Sequence, residues 1–306
     1  MVRLIIFIFL MSFVIKAYGQ VLNGFDLSDS SIPVDEIFRG GPPRDGIPSI
    51  DQPIFYPTST ALNDDSRILG VFYNGVAKAY PINILNYHEI VNDDFDGEKV
   101  VITYCPLCGS GIAFLSTING QAYTFGVSGL LYNSDVLLYD RESESLWSQM
   151  LSKAISGSLE GTNLTLLSTE NTTWSEWKSR YPNSFYLSEE TGFFRDYDQT
   201  PYKGYDQSDQ LYFPVSRKST SMHPKEIVIG IEVNGKFKAY PFKELEKLNG
   251  DLEDEFNDQI IIVSFNNQSN SAKLTKKDGD PFPSFTSFWF AWYTFHPNTK
   301  VFKAKK

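Results

Sequence analysis

The stretch Ile68-Leu69-Gly70-Val71-Phe72-Tyr73-Asn74-Gly75-Val76-Ala77-Lys78-Ala79-Tyr80-Pro81 decides the architecture, because it returns as Val228-Ile229-Gly230-Ile231-Glu232-Val233-Asn234-Gly235-Lys236-Phe237-Lys238-Ala239-Tyr240-Pro241. Each copy reads as two short β-prone runs joined by Asn-Gly, a pair that accepts positive φ at both positions of a tight hairpin turn. Pro then opens a helix, and Leu85 matches Leu245, so a hairpin-then-helix unit is written twice. In the first copy the helix is expected over 82–92, with Leu85, His88 and Val91 on one inward face. Further on, 100–104 matches 261–265 if one residue is inserted, and 288–302 loosely resembles the region ending at Trp147. The expectation is an α+β fold, mainly β, made of two degenerate copies of a hairpin–helix–strand–meander unit packed together.

Around these copies the chain punctuates itself. A buried strand is expected at 100–104, then strands at 112–115 and 122–125 around the Asn119-Gly120 turn, forming a meander. Strands at 136–139 and 145–147 flank the polar turn Asp140-Arg141-Glu142-Ser143. Residues 172–181, with Trp174 and Trp177 three apart and Pro182 behind them, read as a short amphipathic helix. Residues 20–50 are rich in Gly, Pro, Asp and Ser without periodicity and read as an extended arm. The first repeat, with its Cys/His site, then spans 51–190, and the second, degenerate repeat spans 191–306.

The first nineteen residues carry Arg3 and an apolar run over 4–15 that is too short to cross a bilayer, followed by Ala17-Tyr18-Gly19. They read as a signal peptide cleaved before Gln20, which makes the protein exported, periplasmic or secreted. No later apolar run has membrane-spanning length, so no transmembrane segment is expected after cleavage. Loss of Arg3 and Lys16 with the leader moves the formal charge from −10 to −12. An acidic chain whose only basic cluster is its last residues argues against nucleic acid as a partner, since such binding runs on neutralised phosphates.

Chemistry concentrates at Tyr104-Cys105-Pro106-Leu107-Cys108-Gly109-Ser110, which holds both cysteines of the chain. With it stand Ala79-Tyr80-Pro81, His88-Glu89-Ile90-Val91-Asn92, and Phe125-Gly126-Val127-Ser128-Gly129-Leu130-Leu131-Tyr132-Asn133. Ser145-Leu146-Trp147-Ser148-Gln149, Trp174-Ser175-Glu176-Trp177 and Phe288-Trp289-Phe290-Ala291-Trp292 complete the set. On these motifs, which cover most of the mature chain, the sequence resembles the domain-of-unknown-function family 3179 of exported bacterial and archaeal proteins. The resemblance implies no activity, because the family has none established.

The cysteines admit three readings. A soft-metal site is the leading one: Cys105 and Cys108 on a turn aim two sulfurs at one ion, His88 supplies a third ligand, and copper is placed slightly ahead of zinc. A second Cys pair is absent, so other ligands come from His88, His223, His296 or carboxylates such as Glu89. A thiol-disulfide oxidoreductase is the alternative, although the residues after Cys108 read as strand and lack the helix N-terminus that activates such thiols. The third is a non-catalytic module with an inert disulfide, a poor staple because the loop it closes is short. The second copy has Leu248 in place of His88, and Phe265 or Asn266 in place of Cys105, so the fold does not need these groups.

Glu89, Ser128, Asn133, Asp135, Asp140, Arg141, Trp147, Ser148 and Gln149 form a dense polar set that reads either as pocket lining or as turn chemistry. His223 and His296 each precede Pro in apparent loops and read as surface residues. No phosphate-binding glycine loop, His-Glu-x-x-His or nucleophile elbow occurs, which leaves the Cys turn as the one motif with chemistry.

Overall fold

The computed structural model describes residues 21–59 and 62–305, so the expected leader at 1–19 lies outside the described residues. Strands dominate, and helices are short. Arg67–Tyr73 and Val76–Pro81 pair antiparallel around Asn74 (φ 49°) and Gly75 (φ 76°), as the Asn-Gly signal requires. Ile227–Val233 and Lys236–Pro241 repeat this around Asn234 (φ 50°) and Gly235 (φ 73°).

The helix after the first hairpin is Ile82–His88, shorter than the expected 82–92. Glu89 ends it in the left-handed conformation (φ 56°), and Ile90–Phe95 becomes a strand. The β-branched Ile90 and Val91 sit opposite Thr103 and Ile102 of Glu98–Cys105, and pairing along that whole strand outweighs one more turn of weak helix. Ser110–Leu115 completes an antiparallel meander, and Thr165–Leu167 forms its far edge.

The order of elements then recurs. Hairpin, helix Phe242–Leu245 and the meander Leu252–Phe256, Gln259–Asn266, Ser271–Thr275 follow one another in the later part of the chain. In the earlier part Glu170–Thr173 joins the hairpin, helix Trp174–Arg180 crosses it, and Phe185–Leu187 lies parallel to Val76–Pro81. In the later part Phe285–Phe288, Trp289–Phe295 and Lys300–Val301 do the same. In pairing pattern 285–302 is similar to 170–187 and not to the region ending at Trp147, and in both one tryptophan of the crossing helix lands on the hairpin. A Cβ on Gly70 would stand 2.4 Å from the Trp177 ring, and one on Gly230 would stand 2.1 Å from the Trp292 ring. Both positions need glycine for close approach.

What the later part lacks is a five-stranded antiparallel sheet. It is built from Ile37–Arg39, Phe125–Tyr132, Asp135–Asp140, Leu146–Ser148 and Lys153–Ser156. Its first strand comes from the arm at 20–50, which is therefore more than an extended cover. Ile37 pairs with Tyr132, and Phe25, Leu27 and Ile37 are buried against Leu137, Tyr139 and Ile155. Burial of such apolar side chains, worth about 1.5–3 kcal/mol each, holds the arm without helical or strand periodicity.

Between Leu187 and Ile227 no regular strand or helix occurs. This long segment lies on residues of the earlier part. Asn83 Nδ2 donates to Tyr197 O (3.2 Å), Ser134 Oγ to Phe213 O (2.8 Å), and Ser216 N–H to Asn133 Oδ1 (2.7 Å).

Candidate metal centre

Cys105 ends one meander strand and Ser110 begins the next, with the two residues paired across the turn. Cys108 N–H donates to Cys105 O (3.1 Å), and Gly109 takes φ 58° to reverse the chain. A Cβ at Gly109 would meet the Phe288 ring at 2.9 Å, and Phe288 N–H donates to Cys108 O at 2.7 Å, so the turn is clamped from the later part of the chain. Gln149 braces the base of the turn: its Nε2 donates to Thr103 Oγ1 (2.8 Å) and its Oε1 accepts from Ser110 Oγ (2.7 Å).

Opposite the sulfurs stands the turn Asn133-Ser134 of the five-stranded sheet. Both residues have positive φ, 53° and 65°, a conformation costly for serine, which occupies the place where Gly is usual. The turn sets Ser134 O at 3.4 Å from Cys108 Sγ and 3.7 Å from Cys105 Sγ. It also delivers Asp135. The two Sγ atoms and a carboxylate oxygen of Asp135 all lie within 4.8 Å of one another, and all three residues are buried. Both cysteines are free thiols.

Asp135 Oδ2 accepts from Met150 N–H at 3.0 Å, while Oδ1 is buried with no hydrogen-bond partner among the described residues. Burial pushes the Asp135 carboxyl up to about 7. The Cys108 thiol is driven well above its ordinary value by burial, then by its bond and proximity to Cys105; burial also raises Cys105. Glu89, buried at the left-handed helix cap, is pushed up to about 8 by burial and then by Asp135. Cys105, Cys108, Glu89 and Asp135 thus share a dry region that favours their protonated forms, with no salt bridge to either carboxyl among the described residues, and a bound cation would favour their ionised forms. The donor set fits such an ion: two sulfurs and a carboxylate oxygen with a vacant lone pair.

His88 takes no part in this cluster. Its Nδ1 donates to Pro48 O (2.8 Å), which leaves Nε2 to accept from Tyr197 O–H (2.6 Å), so both ring nitrogens are used. Burial, the largest influence on it, lowers its affinity for a proton. The polar set read from the sequence divides in the same way. Glu89, Asp135 and Gln149 belong to the centre or its support. Ser128 bridges the bulge of its own strand by donating to Leu137 O and accepting from Leu130 N–H. Asn133 anchors the long segment at Ser216. Asp140 accepts from Ser143 N–H and from the Trp147 indole, a buried turn lock, and Arg141 pairs with Asp51 at 2.9 Å near the surface. Ser148 Oγ accepts from Leu151 N–H at 3.3 Å.

His223 pairs with Asp209 at 2.7 Å, in keeping with a surface position, but His296 is buried, its ring stacked on Phe237 at 3.8 Å. A helix C-terminus packed under an aromatic cluster, not the following Pro, sets its environment. The residues that sequence reasoning passed over are Ser134 and, as a partner of the two cysteines, Asp135. The signal available was the Asn-Ser pair between two alternating β-runs, a hairpin turn whose Ser134 lies 26 residues after Cys108.

The molecule is thus a β-rich scaffold in which a thiol-bearing turn meets a carboxylate from an added sheet, under a long irregular cover. The chain belongs to the family described as protein of unknown function (DUF3179), whose model matches residues 44–280. Neither a curated protein nor a solved structure matches it.

Proposed function

We propose that this chain is an exported protein that binds or handles a transition metal ion through Cys105, Cys108 and Asp135. The observation that carries the reading is the meeting of three buried ligand atoms, two sulfurs and a carboxylate oxygen of Asp135, within 4.8 Å of one another. A carboxylate in the third place, where the sequence suggested imidazole, moves the preference from copper toward zinc, since thiolate and carboxylate together suit a borderline ion. When bound, such an ion would supply Lewis acidity at a position left open by three protein ligands.

The residues of the chain do the rest. Ser134 O orients both sulfurs, Met150 N–H holds the Asp135 carboxylate at Oδ2, and Gln149 fixes the turn. Dithiol exchange is less favoured by the local chemistry. Burial raises both thiols, where catalytic thiols are lowered, and a strand follows Cys108 in place of an activating helix. The recurring order of elements supports two degenerate copies of one unit, of which only the earlier gained the ligands and the added sheet.

Metal content by mass spectrometry, on protein purified without chelator from an exporting host, tests the reading. The expected result is near-stoichiometric zinc or copper, lost in a Cys105→Ser, Cys108→Ser variant and reduced in Asp135→Asn. No metal after reconstitution of the reduced protein would overturn it. Sequencing of the mature N-terminus tests export, with Gln20 expected first.

A further inference from the structure

A cavity of about 460 Å³ opens where the earlier and later parts of the chain meet. Leu164 and Leu166 line it from the earlier part, and Phe237, Phe285, Trp292 and Phe295 from the later part. Water is held weakly against aromatic and aliphatic walls, so an apolar ligand that displaces it gains affinity. The volume is that of a small-molecule site.

One polar side chain is buried in this lining. His296 is 7% exposed and stacks on Phe237 at 3.8 Å, with the ring planes 15° apart. Trp292 flanks it at 4.5 Å. The main chain fixes the ring there: His296 N–H donates to Trp292 O (2.9 Å) at the end of helix Trp289–Phe295, and His296 O accepts from Thr299 N–H (3.0 Å). His88 and His223 both bond their ring nitrogens to protein groups. Neither ring nitrogen of His296 has such a partner among the described residues. The adjacent indole offers none, because Trp292 Nε1 donates to Thr299 Oγ1 at 2.9 Å. Phenylalanine would make the same stack without a bare polar edge, and a buried polar edge calls for a partner. Burial keeps the imidazole neutral, its proton held only near 3, so it presents one donor and one acceptor.

Charge narrows the ligand. No lysine or arginine lines the cavity among the described residues, and the exposed acid Glu232 is part of the lining. A carboxylate or phosphate would meet like charge there and no counter-charge. We infer that this cavity binds a neutral, planar aromatic molecule bearing a hydroxyl or carbonyl group, which the His296 imidazole recognises by a hydrogen bond. The site does not depend on the metal reading. One residue joins the two: Met150 lines the cavity, and its N–H holds Asp135 Oδ2.

Titration calorimetry and NMR of the imidazole nitrogens, on the mature full chain with p-cresol and acetophenone as probes, test the inference. At least one probe should bind, shift the ring signals of His296 and leave those of His88 and His223 in place. Benzoate, of similar size and charged, should bind more weakly than either. In His296→Phe the affinity should fall by roughly 3–10-fold, the worth of one hydrogen bond. Leu166→Trp fills the cavity from the opposite wall with His296 untouched and should abolish binding, which keeps the test open if His296→Phe loosens the stack. Failure of both probes to bind, unmoved His296 signals, or full affinity in Leu166→Trp would overturn the inference and leave a gap filled by water alone. Benzoate binding more tightly than the neutral probes would overturn the ligand class.

Discussion

Asp135→Asn should strengthen the metal-free protein at pH 8 while weakening its hold on metal, two effects of opposite sign from one substitution. In the folded chain the Asp135 carboxyl titrates near 7, against an ordinary value of 3.8, because burial disfavours its charge. Below about pH 4 it is protonated in both folded and unfolded states and costs nothing. As pH rises toward 7 the unfolded chain ionises freely while the folded one resists, so stability is lost across that window and the loss is complete above it. The gap between 3.8 and about 7 corresponds to a ceiling of about 4 kcal/mol. Asn retains an acceptor for Met150 N–H and needs no ionisation. With relaxation around the neighbouring acids, a gain of about 1–3 kcal/mol at pH 8 is expected, shrinking toward zero near pH 4. The assay is urea unfolding of chelator-treated, reduced protein at several pH values, beside zinc titration of the same samples. A variant less stable than wild type at pH 8, or a difference that does not change with pH, would refute the reasoning.

Gly70→Ala and Gly230→Ala each push a methyl into a tryptophan ring, and each should cost about 1–3 kcal/mol in denaturant unfolding. His296 binds its proton only near 3 in the folded chain, because it is buried, against 6.5 when free. The unfolded state therefore gains protons first and stability falls as pH drops from about 6.5 to 3; His296→Phe should flatten that slope in acid-unfolding curves. His88→Gln should keep its full complement of metal by mass spectrometry, since both ring nitrogens are used within the scaffold. Loss of the ion in that variant, with the fold intact, would return His88 to the ligand set.

The hairpins were legible because Asn-Gly between alternating β-prone runs has one economical solution, and both turns adopt it. The end of the first helix was not, because the left-handed cap is taken by Glu89 in place of the usual Gly, and the strand that follows is set by its partner across the sheet. The cysteine turn announced itself by spacing. The third member of the cluster could not: Asp135 reaches the sulfurs only through a two-residue turn in a different sheet, whereas His88, nearer in sequence and softer in chemistry, is held by a proline carbonyl and a tyrosine hydroxyl. The burial of His296 was hidden for the same reason, since the ring that covers it, Phe237, lies some sixty residues away.

The clamp from Phe288 onto the cysteine turn has a temporal side. A chain emerging from its N-terminus presents Cys105 and Cys108 early, yet Phe288, whose amide and ring seat against Cys108 and Gly109, arrives 180 residues after Cys108. Until then the thiols stand open to whatever oxidant or ion the compartment holds. On the proposed metal reading, the order in which metal, oxidant and the segment around Phe288 reach that turn decides whether a newly made molecule is loaded or locked as a disulfide.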